Sequence, residues 1–211
     1  PAELLYAATL TEDPAKKLNI YNAFSGVYPN DWRGPNNAGA ILAQQMKYAE
    51  AKPYFEKATK LRSNEPIVRN NLGTIALFEN DLARAEEYFG AAAGSGNEAS
   101  YNLGLVNIRK GDYNRANQYF RSYADPNTAL VKIISGNYNG ALNDLEEFDR
   151  PNCFMKEYLK AIIAVRTGKE ALFFESLKNT VDYNPAMKAK AATELEFLKY
   201  FGDQRFKALV Q

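Results

Sequence analysis

Histidine is absent from this sequence altogether, and cysteine occurs once, at Cys153. The first absence removes the commonest general base, the usual activator of a nucleophile and the commonest zinc ligand. The second rules out an internal disulfide. Cys153 follows Pro151-Asn152 near an expected helix start, and without an imidazole beside it reads as a structural thiol. Charge of one sign is missing too: 26 basic and 25 acidic side chains leave +1, too little to draw a phosphate backbone or an anionic membrane. No apolar run approaches the roughly 20 residues of a membrane-spanning helix. Carboxylates that adjoin, such as Glu86-Glu87 and Glu146-Glu147, sit side by side on a helix and cannot converge on one bond. These absences predict no cofactor, no metal, no nucleic-acid partner, no transmembrane segment and no enzyme. The chain opens on Pro1 in a stretch, PAELLYAATL, that reads as helix at once, so it is expected to be a piece of a longer protein.

What is present repeats. NNLGTIALFENDLARAEEYF (Asn70 to Phe89) and YNLGLVNIRKGDYNRANQYF (Tyr101 to Phe120) align without a gap, and NAGAILAQQMKYAEAKPYF (Asn37 to Phe55) is a third copy. Each carries a glycine early, a polar turn seven to eight residues on, then an alanine and an aromatic four apart. That spacing predicts a helical hairpin. Gly39, Gly73 and Gly104 fall where two helices cross closely. Ala51, Ala85 and Ala116 give the small contact on the second helix, and Phe55, Phe89 and Phe120 lie on the same helix face and fill the space between hairpins. One hairpin cannot bury such a face, whereas a stack can. Valine and isoleucine recur at helical spacing and never alternate as strands do, so the fold class is all-α, with seven helices expected between Pro35 and Pro185. Beyond Phe120 the pattern loosens, and Pro126 demands a shortened first helix. The stretch KAKAATELEFLKYF is expected to be one last helix, stopped at Gly202-Asp203 and followed by a short tail helix.

These residues resemble the tetratricopeptide repeat family, whose pattern places Leu-Gly, then alanine, then an aromatic, then proline, at these intervals. Matching positions are Leu5, Gly39, Gly73, Gly104, Ala129 and Ala161. The first two intervals are those of the family, and the one from Gly104 to Ala129 is clearly shorter. The resemblance implies a right-handed superhelix of antiparallel helical hairpins with a C-terminal capping helix. It implies a single solenoid over 1–211, with repeats near 1–31, 32–65, 66–96, 97–121, 122–153 and 154–185, and capping helices over 186–211. It also implies that the first helix of each hairpin lines a concave groove. Carried over residue by residue, that groove takes Arg33, Asn36, Ala40 and Gln44, then Ile67, Asn70, Thr74, Leu77 and Phe78, then Glu98, Tyr101, Leu105, Ile108 and Arg109. Met155, Tyr158, Ile162 and Arg166 come from the copy near Ala161.

The groove candidates for peptide binding are therefore Asn36, Asn70, Thr74, Tyr101, Arg109, Tyr158 and Arg166. Amides suit backbone groups, arginines suit carboxylates and the aliphatics suit apolar anchors. The lysine- or arginine-based carboxylate clamp of some family members is missing, since its places hold Asn36 with Ala40 and Asn70 with Thr74. Asn37, Asn71 and Asn102 also recur, either as an amide ladder for a peptide or as bridges between neighbouring first helices. The expected function is a non-catalytic scaffold that holds a protein or peptide partner. The alternative is a glycan- or small-ligand-binding envelope protein on the same solenoid, for which Trp32, Tyr28 and Tyr6 supply the aromatic platform. The asparagine- and tyrosine-rich texture is similar to tetratricopeptide modules of larger Gram-negative envelope proteins. It implies a periplasmic or outer-membrane-associated location, with the cytoplasm as the alternative.

Overall fold

The computed structural model describes residues 1–94 and 96–211, and among them all regular structure is helical. Two compact units divide the chain, Pro1–Asp112 and Tyr113–Gln211. The first holds α1 (Ala2–Leu10), α2 (Pro14–Val27), α3 (Arg33–Gln44), α4 (Tyr48–Leu61), α5 (Pro66–Phe78), α6 (Leu82–Ala92) and α7 (Asn97–Lys110). The second holds α8 (Tyr113–Tyr119), α9 (Pro126–Ile134), α10 (Tyr138–Glu147), α11 (Phe154–Arg166), α12 (Glu170–Tyr183), α13 (Met187–Thr193), the 3-10 helix η1 (Leu195–Tyr200) and α14 (Gln204–Val210). Among the described residues ten helices, α3 to α12, thus occupy the stretch where seven are expected, because the weaker downstream copies also contribute two helices each.

Helix starts follow local chemistry. Asp13 accepts the backbone N–H groups of Ala15 and Lys16 at 2.8 and 3.2 Å, with Pro14 pre-set at the first helical position of α2. Asp125 and Thr128 form a reciprocal capping box at α9, again with a proline, Pro126, at its start. That proline gives α9 only 9 residues, against 12 in α3 and 13 in α5 and α11, which is the shortening expected.

The ends of α3, α5, α7, α9 and α11 obey one rule. Met46, Asn80, Gly111, Gly136 and Gly168 each stand seven residues after the close-crossing position, and all five adopt positive φ, between 59° and 77°. At each, the next residue's N–H reaches back to a carbonyl five residues earlier, as in Lys47 to Leu42, Asp81 to Ala76 and Asn137 to Lys132 (2.8–2.9 Å). A second bond runs from the positive-φ residue itself to the carbonyl three residues back, for example Gly136 to Ile133 at 3.1 Å. This double closure satisfies carbonyls that the helix end leaves open. It recurs along the chain although the residue that makes it changes.

Packing inside the hairpins differs between the units. A Cβ built on Gly39 would stand 2.8 Å from the Phe55 ring, and one on Gly73 would stand 2.6 Å from the Phe89 ring. Both rings are fully buried, each removing a hydrophobic surface worth about 2–3 kcal/mol from water. In the second unit the matching positions, at the same separation in sequence, pair Ala129 with Leu145 and Ala161 with Leu177. All four are fully buried. A smaller second-helix residue leaves room for the extra methyl, so the layer keeps its volume.

The last expected helix is broken. Glu194 takes an extended backbone (φ −72°, ψ 114°), splitting the segment into α13 and η1. In a 3-10 helix residues three apart share a face, so Phe197 and Tyr200 both turn inward. Their rings meet Phe173 at centroid distances of 5.1 and 4.2 Å, and Phe206 of α14 closes the same cluster. Gly202-Asp203 does stop the segment. Asp203 caps α14 through the Arg205 N–H at 2.8 Å, and the Arg205 side chain holds its carboxyl down at a pKa of about 2.

Candidate functional site

The first-helix faces are built by α3, α5 and α7 in the first unit and by α9 and α11 in the second. Amides stitch the former together. Asn71 Nδ2 donates to Asn36 Oδ1 at 2.9 Å, and Asn102 Nδ2 donates to Asn70 Oδ1 at 3.0 Å. Asn36 Nδ2 donates in turn to Asn37 at 3.1 Å. Asn36 is buried, and the residues one step ahead of each Leu-Gly pair thus bridge neighbouring first helices. Asn70 is buried as well, yet it borders a pocket of about 180 Å³ with Ile67 and Glu98. Thr74, one turn later and half-buried, donates to the Asn70 carbonyl at 3.2 Å. Tyr101 is half-buried and takes the place that asparagine holds in the two copies before it.

Both arginines among the peptide-binding candidates are tied. Arg109 Nη1 donates to the Leu77 carbonyl in the last turn of α5 at 2.7 Å. Arg166 Nη1 donates in the same way to Ile133 in the last turn of α9, at 3.2 Å. A cation at a helix C-terminus answers both the open carbonyl and the negative end of the helix dipole. Arg166 is also forked onto Glu196, with Nε to Oε2 at 3.1 Å, which holds the Glu196 carboxyl below the usual carboxylate range. Tyr158 is 4 % exposed, and its hydroxyl donates to Glu194. Burial first, and that bond second, push its phenol well above the ordinary value.

Seven sequence candidates therefore divide. Asn70, Thr74, Tyr101 and Arg109 lie on α5 and α7, and Asn36 lies on the neighbouring α3, bonded to Asn71. Tyr158 and Arg166 share α11 and are committed to the η1 segment. The exposed apolar residues are only partly among the groove positions that the sequence singles out. Phe78, named only as a lining position, is 58 % exposed, and its ring packs tilted against Tyr48 of α4 at 4.3 Å. Ile134, at the equivalent end of α9, and Leu195 and Leu198 on η1 are exposed as well. The place of Ile134, two residues ahead of the turn glycine like Phe78 ahead of Asn80, was the available signal. No helix among the described residues is long and apolar enough to cross a membrane.

This arrangement of stacked hairpins is the tetratricopeptide-repeat fold, and the chain carries that repeat in its middle. The sequence model of the tetratricopeptide repeat matches residues 36–97 and 80–129. Among individual proteins, the type IV pilus assembly protein PilF of Pseudomonas aeruginosa is 32 % identical over 83 residues, which are 39 % of this chain. Those residues span 32 % of PilF, so the sequence match reaches about a third of that relative. The solved structure of Pseudomonas aeruginosa PilF superposes with a TM-score of 0.67 at 16 % identity, over 90 % of either chain. PilW, a type IV pilus biogenesis factor, gives 0.68 at 16 % identity over 89 % of this chain and 90 % of its own. A tetratricopeptide repeat protein from Parabacteroides merdae gives 0.63 at 18 % identity, covering 99 % and 96 %. At these identities the structural likeness is one of fold.

Proposed function

We propose that this chain is a non-catalytic scaffold that docks a protein or peptide partner on the first-helix face of α5 and α7. The observation that carries the reading is what that face leaves to solvent. Its amides are largely used between helices, while Ile67 and Phe78 stand 50 % and 58 % exposed. Exposed apolar side chains at the two ends of α5, with a guanidinium tied to its last turn, are the makings of an interface with anchors and a register-setting charge. Ile67 and Phe78 are the anchors, Tyr101 adds contact area, and Arg109 meets a carboxylate. Thr74 and Asn70 offer hydrogen bonds, and Asn36 braces α5 from α3 through Asn71. The match to a type IV pilus assembly protein supports a place in the cell envelope, among proteins that assemble others there.

The test begins with capture of partners by cross-linking from an envelope fraction and continues with calorimetry on each. Tyr101→Ala and Phe78→Ala are expected to weaken binding by about 2 kcal/mol each, the scale of an interface hot spot. Glu87→Ala, on the second helix α6, is expected to change little. Arg109→Ala also removes the tie to Leu77, so its melting midpoint must be measured alongside. Loss of binding in Glu87→Ala with none in Tyr101→Ala or Phe78→Ala would move the partner to the other face.

A further inference from the structure

Where α2 passes into α3, residues 27–33 fold around a cleft of about 600 Å³, completed by Arg62 at the end of α4. That volume lies within the range of small-ligand sites, about 300–1,000 Å³. Tyr28 and Trp32 supply its aromatic surface. The Tyr28 ring is held at 5.0 Å against Phe24, which is fully buried, so this wall is fixed rather than collapsible. The polar wall is Asp31. Its Oδ1 accepts the Arg33 backbone N–H at 3.0 Å and Nε at 2.9 Å, while Oδ2 accepts Nη2 at 2.5 Å. The hydrogen bond from Arg33 holds the Asp31 carboxyl below its ordinary value, so the pair is a stable fork with cancelled charge. Arg33 Nη1 and further acceptor positions on Oδ2 stay available at its edge. Arg62 is different. Its Nε stands 3.4 Å from Glu65 and its side chain is 65 % exposed, a loose surface pair that leaves the guanidinium open to a competitor.

We propose that this cleft binds a short oligosaccharide carrying a carboxylate. A sugar ring presents an apolar C–H face, which Tyr28 and Trp32 can cover, and an edge of neighbouring hydroxyls that both donate and accept. The Asp31–Arg33 fork offers an acceptor and a donor side by side to such an edge. Arg62 then takes the carboxylate in a charge-assisted contact. A nucleotide suits the cleft less well, because the fork is neutral and Arg62 alone would face several phosphate charges. A peptide anchor would need an apolar pocket, and here Asn30, Asp31, Arg33 and Arg62 interrupt the aromatic wall. The site uses none of the residues assigned to the α5–α7 face, so the two proposals stand or fall separately.

Trp32 is the only tryptophan of the chain, so its fluorescence reads this cleft directly. The full chain is titrated with oligogalacturonate and with a neutral maltooligosaccharide of equal length. A saturable change in Trp32 emission is expected for the acidic sugar, with affinity about tenfold above that for the neutral one, the scale of one charge-assisted contact. Arg62→Ala is expected to erase that preference, and Asp31→Asn to weaken both sugars. Glu87→Ala should leave both curves where they were, and melting midpoints establish that each variant is folded. No saturable change with either sugar overturns the proposal, as does a response indifferent to Arg62→Ala and Asp31→Asn.

Discussion

The two units solve one packing problem with different pairs of residues. In the first, glycine on the first helix faces phenylalanine on the second, at Gly39 with Phe55 and Gly73 with Phe89. In the second, alanine faces leucine, at Ala129 with Leu145 and Ala161 with Leu177. The sequence interval within each pair and the turn seven residues after the crossing position are the same in both. What varies is how a fixed volume is divided between the helices. Polar bridging is divided differently as well. Asparagines tie neighbouring first helices in one unit, whereas the second holds a part-buried ion pair, with Asp144 bonded to Lys132 at 2.6 Å and Thr128 at 2.9 Å. Backbone geometry therefore belongs to the repeat, and side-chain content to each unit.

The sharpest way to break this comparison is to mix the two solutions. Gly73→Leu should lower stability by about 3 kcal/mol or more, since it overpacks a crossing where even a Cβ meets the Phe89 ring at 2.6 Å. Gly73→Ala should cost less, and the double change Gly73→Ala with Phe89→Leu should recover part of that loss by importing the second unit's pair. Denaturant midpoints of the three variants decide it, and a double variant no better than additive would mean that volume exchange is not the rule. Next in size is Asp144→Ala. Removing one partner of a largely buried pair strands the other charge, at about 3 kcal/mol, the low end of the usual range because Lys132 is partly exposed. The smallest expected effect is a gain. Met46 holds the positive-φ turn position, at 59°, that glycine fills after α7, α9 and α11. Met46→Gly should raise stability by about 1 kcal/mol, the relief of a left-handed conformation in a residue with a Cβ. A calorimetric melt that fails to rise would show the turn to be paid for by contacts of the methionine itself.

Much of this architecture was written in the sequence because its causes are local. The glycines, the aromatics that follow them at a fixed interval and Pro126 each constrain their own neighbourhood, so hairpins, register and the short α9 could all be read directly. Tertiary partners were harder. Asn36, Asn70 and their neighbours could serve a peptide or each other, and only the distances across helices show that Asn71 donates to Asn36 and Asn102 to Asn70. The repeat pattern points Arg109 and Arg166 at a partner, yet each reaches to a carbonyl of the first helix one repeat earlier. A backbone acceptor has no residue type, so sequence carries no mark of it. The break at Glu194 was hidden for a related reason. KAKAATELEFLKYF contains no proline or glycine, and the extended residue is imposed by burying Phe197 and Tyr200 against Phe173, a demand made from another helix.

The tie between Arg109 and Leu77 also bears on how quickly a partner could be recognised. A free arginine on a surface samples many rotamers, and freezing them on contact forfeits roughly 2 kcal/mol of side-chain entropy. Here a carbonyl of the preceding first helix has already done the freezing, using one Nη1 hydrogen and leaving the rest of the guanidinium plane to point one way. An incoming carboxylate would meet a docking direction that exists beforehand, so few encounters would need to be rejected for the wrong angle. Lysine, with a compact charge on a flexible stem, could keep the charge at this position but not the plane.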